Sequence, residues 1–432
     1  MMVQVMLGPY GNIVPVSLKH LSEPKTQLSP TDNVRCQTCM CAFGTATVST
    51  GTTKFLVSAP QSRLHVTPVN PTIPQKFVSI ATEDLDMQAF RFVLILSLVV
   101  ACSDDKDNHP QQVAWRKLGL DGKSVNEMQI VDKVLFVATT SGLFKKDLET
   151  DSEFSLMGFN NKNVEAIEVI DDGTVLVSTF PKDGAEPPAL YKTLDDGTTW
   201  IPVQTDFGGD FTEPIFDLET HPENNEILYA TGTSVVAKSL NGGGSWSPVF
   251  GDWGGFATGV SVVEINPIGK ELWAGGQGAI ENGFLLRSKN EVDWDEWTDL
   301  VDDPTVVKEI TFSDKTSTEV FVGYEGALLK TTDGGETWQT LIQSEQNRFY
   351  FGIGLQQQNP ERVYTGGWLK TPDAQPLTIF ISDNGGQSWE EFSFAGESFG
   401  GILDLQITRE ADRDVLYLGL DKGGVYEARI GH

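Results

Sequence analysis

Thr193-Leu-Asp195-Asp-Gly197-Thr-Thr199-Trp200 and Thr331-Thr-Asp333-Gly-Gly335-Glu-Thr337-Trp338 are two copies of one pattern, Ser/Thr-x-Asp-x-Gly-x-Thr-Trp. Ser239-Leu-Asn241-Gly-Gly243-Gly-Ser245-Trp246 and Ser382-Asp-Asn384-Gly-Gly386-Gln-Ser388-Trp389 repeat it with Asn in the Asp position. A fifth copy, Ser288-Lys-Asn290 running to Trp294 and Trp297, has lost its Gly. The chemistry is that of a hairpin turn. The Asp or Asn side chain accepts backbone N–H bonds within the turn, and Gly takes the left-handed position. Trp then covers the turn with a large apolar area.

Working outward, each copy follows a strand of the Leu-Tyr-Lys-Thr type, and that strand follows another like Val-Leu-Phe-Val-Ala. The preceding strands are Val134 to Ala138, Val175 to Thr179, Ile227 to Thr231, Leu272 to Gly275, Val320 to Gly323, Val363 to Gly366 and Val415 to Gly419. Equivalent positions on the following strands are Lys145, Lys192, Lys238, Arg287, Lys330, Ile381 and Glu427, at spacings of 47, 46, 49, 43, 51 and 46 residues. A strand-only repeat of this length is the signature of propeller blades. The expected fold is all-β: a seven-bladed β-propeller of four-stranded antiparallel blades over 111–432. The last unit stops after its third strand, and Val113-Ala-Trp115-Arg-Lys-Leu118 reads as the missing outer strand. It is expected to pair with blade seven, closing the ring without a ragged edge.

The repeated motif resembles the Asp-box (BNR repeat) of a propeller superfamily that includes sialidases, xyloglucan-degrading glycosidases, sortilin-type receptor domains and photosystem II assembly factors. The resemblance covers about residues 111–430 and implies architecture rather than chemistry. It implies structural roles for Asp195, Gly197, Trp200, Asn241, Gly243, Trp246, Asp333, Gly335, Trp338, Asn384, Gly386 and Trp389. A sialidase would need three arginines, the first in an Arg-Ile-Pro motif on the first blade. Here no Arg lies between Arg116 and Arg287. Xyloglucan enzymes of this kind use two propellers, and this chain has one.

Ahead of the repeats, Met87-Gln-Ala-Phe-Arg-Phe-Val-Leu-Ile-Leu-Ser-Leu-Val-Val-Ala-Cys102 has a basic start and a short apolar run, as in a signal peptide. Val99-Val-Ala-Cys102 resembles the lipobox of bacterial lipoproteins, which implies lipidation of Cys102, cleavage after 101 and a tether over 102–110. Ser103-Asp104-Asp105 resembles the acidic surface-export tag of Bacteroidetes lipoproteins. The implied location is the bacterial cell envelope, as an outer-membrane lipoprotein. Residues 1–86 lack sustained periodicity; they read as a start codon placed too early or as an unstructured extension.

The formal charge of −29 excludes nucleic acid as a partner, since phosphates would be repelled. No Cys follows Cys102, so the repeat region has neither disulfide nor thiolate metal site. Cys36, Cys39 and Cys41 have half of a zinc-like spacing without a second pair. No cofactor and no metal centre are expected. Aligning the innermost strands gives a column of Gln129, Glu168, Asp217, Glu264, Thr311, Gly354 and Gln406. Glu168, Asp217 and Glu264 there could bind a channel cation or act as an acid/base pair; the alternative is that they bond strand ends. Three inter-blade links carry aromatics beside Gly-Gly, Phe207 and Phe211 with Asp210, Trp253 with Phe256, and Phe399, and another link carries Phe349 and Tyr350. Trp368 lies in a long loop on the same face. Such aromatics suit sugar stacking or a protein-binding hot spot, or else they tuck under the loops. The expected function is non-catalytic binding of a glycan or partner protein, with membrane attachment through the lipid. The alternative is a glycoside hydrolase using Asp210, Asp217 and Glu264.

Overall fold

The computed structural model describes strand residues 46–50 and 53–57, and residues 112–431 apart from 181–186, 206, 208–211, 252–258, 279–281, 303–305 and 345–347. Residues 87–110, including Cys102, on which the expected signal segment and tether fall, and Asp210, Phe211, Trp253 and Phe256, lie outside the described residues. Chain contacts separate a unit ending at Ser103 from one beginning at Asp104. In the first, Ala46–Thr50 pairs antiparallel with Thr53–Val57.

The second unit is all-β, with seven four-stranded antiparallel sheets in the order of a seven-bladed propeller. The innermost strands are Val125–Val131, Asn163–Asp171, Asp217–Thr220, Gly259–Ile265, Val307–Phe312, Phe349–Leu355 and Ile402–Glu410. Blades one to six then step outward in chain order, and blade seven does so through its third strand. Second strands are apolar on both faces, as in Leu135–Ala138 and Val320–Tyr324, which are all buried. This follows from stacking: a blade packs against a neighbour on each side, so alternation disappears. Outer strands are edges and carry polar or breaking residues such as Pro202 and Pro248.

Val113–Gly119 lies beside Gly424–Ile430 as the fourth strand of blade seven. Trp115 stacks on Phe394 of blade six at 5.8 Å. The Arg116 guanidinium donates to Glu427 at 2.7 Å, and Lys117 donates to Glu397 at 3.0 Å.

The motif turns show why the repeat has its composition. In the third-to-fourth-strand turn of blade two, the Thr193 hydroxyl oxygen accepts from the N–H groups of Asp195 and Gly197, at 3.2 and 3.0 Å. Asp195 accepts from the Thr199 N–H and hydroxyl at 2.8 and 2.7 Å. Blades three, five and six repeat the scheme around Asn241, Asp333 and Asn384. The degenerate copy keeps it too: Asn290 accepts from Val292 and Asp293, and Glu291 holds a left-handed φ of 61°.

The residue after the Asp or Asn also explains the third-strand cations. Lys192 donates to the Gly242 carbonyl at 2.6 Å, Arg287 to the Gly334 carbonyl, and Lys330 to that of Gly385 at 3.4 Å. Where this position holds an acid, the cation takes its side chain: Lys145 bonds Asp196, and Lys238 bonds Glu291 at 2.6 Å. Each cation thus docks on the turn of the next blade. Ile381 and Glu427 precede blades seven and one, which have no motif turn, and neither supplies a cation. Replacing Thr331 by Ala removes the acceptor for the Asp333 and Gly335 N–H groups and is expected to cost about 1 kcal/mol, comparable to loss of a helix cap. An unchanged urea midpoint would contradict that role.

Candidate functional site at the channel mouth

The innermost strands surround a channel whose cavity is about 160 Å³. Pairing with the second strands sorts its side chains into two rows. Gln129, Glu168, Glu219, Glu264, Thr311, Gly354 and Gln406 lie opposite a bulky residue, such as Phe136, Tyr229 or Trp273. Glu127, Asp217, Glu309 and Asp404 lie opposite Ala138, Thr231, Gly323 and Gly419. Asp217 therefore belongs one step nearer the link face than the column expected from sequence, and Glu219 takes the place assigned to it. Period two hides this, because Asp217 and Glu219 are both acidic and both face the channel.

Most of these carboxylates are tied to the next blade. An innermost strand exposes one edge of N–H groups to the channel, and each buried donor needs an acceptor. Asp404 accepts from Met128 N–H, Glu127 from Ile167 at 2.9 Å, Glu168 from Thr220 at 3.1 Å and Asp217 from Val263 at 2.7 Å. Gln129 accepts from Val169 at 2.9 Å and donates to Glu168 at 2.9 Å. Among the described residues, Glu264 and Glu309 make no such bond to the following blade; Glu309 accepts from the Thr311 hydroxyl at 2.6 Å.

Crowding so many acids has an electrostatic cost. Burial, reinforced by neighbouring carboxylates, pushes Glu127, Glu219, Glu264 and Glu309 well above the usual carboxylate range. Burial lifts Asp217 to about 7 and Asp404 to about 6, with Lys308 opposing both shifts. Lys308 is the one cation among the described lining residues. No group of three or more His, Cys, Asp or Glu side chains is placed to hold a metal ion among the described residues.

At the link-bearing end, six innermost strands carry a bulge at the same point. A bulge breaks alternation and re-aims the extra side chain. Asn126, Glu165, Ser261, Lys308, Phe351 and Leu403, the residues displaced there, all line the cavity. The row mixes amide, acid, hydroxyl, ammonium, aromatic and aliphatic groups. Sequence reading missed it because a period-two alignment assigns these positions to blade packing.

The link aromatics divide by burial. Phe207 is buried against Trp246, with ring centres 5.9 Å apart. Phe349 and Tyr350 are buried as well; Phe349 packs on Phe351 at 4.9 Å and on Trp368 at 5.3 Å. As ligand-stacking residues these three are corrected: their faces are consumed by packing beneath the links. Trp368 is half-buried in the same cluster, while Phe399 is 46% exposed.

No family model matches the chain, and no curated protein matches it. Solved structures do. The GH74 xyloglucanase from Xanthomonas campestris aligns over 73% of this chain with a TM-score of 0.57 and 13% identity. The likeness is one of fold. This chain spans only 53% of that enzyme. YCF48 from Cyanidioschyzon merolae aligns over 73% of this chain and 98% of its own length (TM-score 0.51, 14% identity), and a structure of YCF48 bound to D1 peptide over 76% and 96% (0.52, 12%). The extracellular domain of a putative hybrid two-component system from B. thetaiotaomicron aligns over 73% and 39% (0.53, 14%).

Proposed function

We propose that this chain is an Asp-box propeller, anchored through Cys102 to the bacterial envelope, that binds a partner polypeptide without catalysis at the channel mouth. The observation that carries this reading is the row of bulged residues. Asn126, Glu165, Ser261, Lys308 and Leu403 present varied chemistry at one opening, around the buried Phe351 ring, as recognition requires. Most channel acids below them are occupied as acceptors between blades. Burial of Phe207, Phe349 and Tyr350 removes three of the stacking platforms expected for a glycan site, which favours a polypeptide. The likeness to YCF48 over nearly its full length and the extracellular setting of the B. thetaiotaomicron domain support the reading.

The test is binding of soluble 103–432 protein to peptide and glycan arrays, with a parallel assay for cleaved products. Saturable peptide binding that weakens about tenfold or more in Lys308→Glu and in Asn126→Ala is expected. Glycan binding alone would replace the polypeptide with a sugar, and binding indifferent to both variants would move the site elsewhere.

A glycoside hydrolase remains the second reading, because Glu264 is unengaged by the next blade and burial, with its carboxylate neighbours, raises its pKa well above the usual carboxylate range, the direction a general acid needs. Asp217, with a pKa lifted to about 7, would be its partner; Asp210, the third acid of that reading, lies outside the described residues. Product release abolished by Glu264→Gln would establish it.

A further inference from the structure

On the opposite face, between blades one and two, lies a cleft of about 320 Å³. Its floor is apolar: Val131, Val134 and Phe136 come from blade one, Val169 and Val175 from blade two. Its rim is acidic. Asp132, Asp147 and Glu153 stand on one side, Asp171, Asp172 and Asp196 on the other, all exposed. Lys145 is the one lining cation among the described residues, and Asp196 holds it. Blade one has no motif turn. Its third-to-fourth connection carries Glu149, Asp151 and Glu153 where blades two, three, five and six place Gly and Trp.

We infer that this cleft docks a basic polypeptide segment that carries one large apolar side chain between lysines or arginines. Charge complementarity names the occupant. The rim carboxylates are spread along both blades and individually solvated, so a single small cation gains little from any one of them. A chain of cations meets several at once, and an apolar side chain covers the floor. A second copy of this protein fits poorly, because the formal charge of −29 repels its like. The site lies on the face away from the channel mouth and stands independently of the function proposed there.

The test uses the full chain and a fluorescent Lys-Lys-Phe-Lys-Lys peptide followed by anisotropy. Binding is expected at low salt, with affinity falling steeply as salt rises. The double variant Asp171→Lys/Asp172→Lys, in an exposed hairpin turn, should weaken binding about tenfold or more while retaining the parent melting temperature. Glu153→Lys, on the other wall, should weaken it as well, and Glu264→Gln in the channel should leave it unchanged. Replacing Phe by Ser in the peptide should reduce affinity, and spermine should compete poorly. Equal binding by the two rim variants and the parent would overturn the inference, as would spermine binding as tightly as the peptide. Loss of binding in the channel variant alone would place the basic segment at the mouth and overturn it too.

Discussion

Asp414→Ala is expected to lower the folding free energy by about 3–5 kcal/mol, the range for removing one partner of a buried ion pair. The Asp414 side chain is fully buried at the start of the second strand of blade seven. It accepts from the Tyr364 hydroxyl and the Gln356 amide of blade six, and from Arg409 at 3.3 Å. Arg362 lies 3.7 Å from it and donates to Tyr364 at 2.6 Å. Without the carboxylate, Arg362 and the Tyr364 hydroxyl stay buried beside an apolar methyl group. The loss falls on the contact between blade six and the blade that closes the ring. Asp414→Asn retains an acceptor and should cost clearly less. Urea unfolding of both variants checks this; losses below 1 kcal/mol in each would show that the network contributes nothing net.

Raising the pH from 5 to 8 should destabilise the propeller, the reverse of ordinary acid denaturation. Burial holds the folded-state values of Glu127, Glu219, Glu264 and Glu309 well above those of the unfolded chain, with Asp217 at about 7 and Asp404 at about 6. Between the unfolded value near 4 and those folded values, the folded state binds more protons. Stability is then present at the acid end and declines as pH climbs through 6 and 7. The sum is on the order of 3 kcal/mol or more, reduced by solvent in the channel. Below about pH 4 the sign reverses, because hydrogen bonds hold Asp333 at about 2 and keep Asp195 low, while Glu397 and Glu427 are depressed by the hydrogen bonds they accept. Maximum stability should fall near pH 5. Melting temperatures across pH 3–9 measure the curve, and Asp217→Asn with Glu264→Gln should flatten its upper limb. A stability that rises from pH 5 to 8 would refute this electrostatic picture of the channel.

The blade count was legible because it depends on local chemistry repeated at a fixed spacing. A hydroxyl, an Asp or Asn and a left-handed residue make the same turn wherever they occur, as the Asn290 copy shows without its Gly. The third-strand cations were legible as a habit, though their targets were not: Lys145 and Lys192 each reach a turn about 50 residues away. The site was less legible. Glu127, Glu219, Glu309 and Asp404 escaped the sequence column, and Asp217 was set in the wrong row.

Sequence by itself determined the seven units, their strand order within a blade and the turns that join strands, since each follows from periodicity and from side chains bonding their own backbone. Only the tertiary structure decided which residues face the channel mouth and which aromatics stay open. A bulge shifts the facing of a strand by one residue without altering its composition. The burial of Phe207 or Phe349 depends on a neighbour folded over it from elsewhere in the chain.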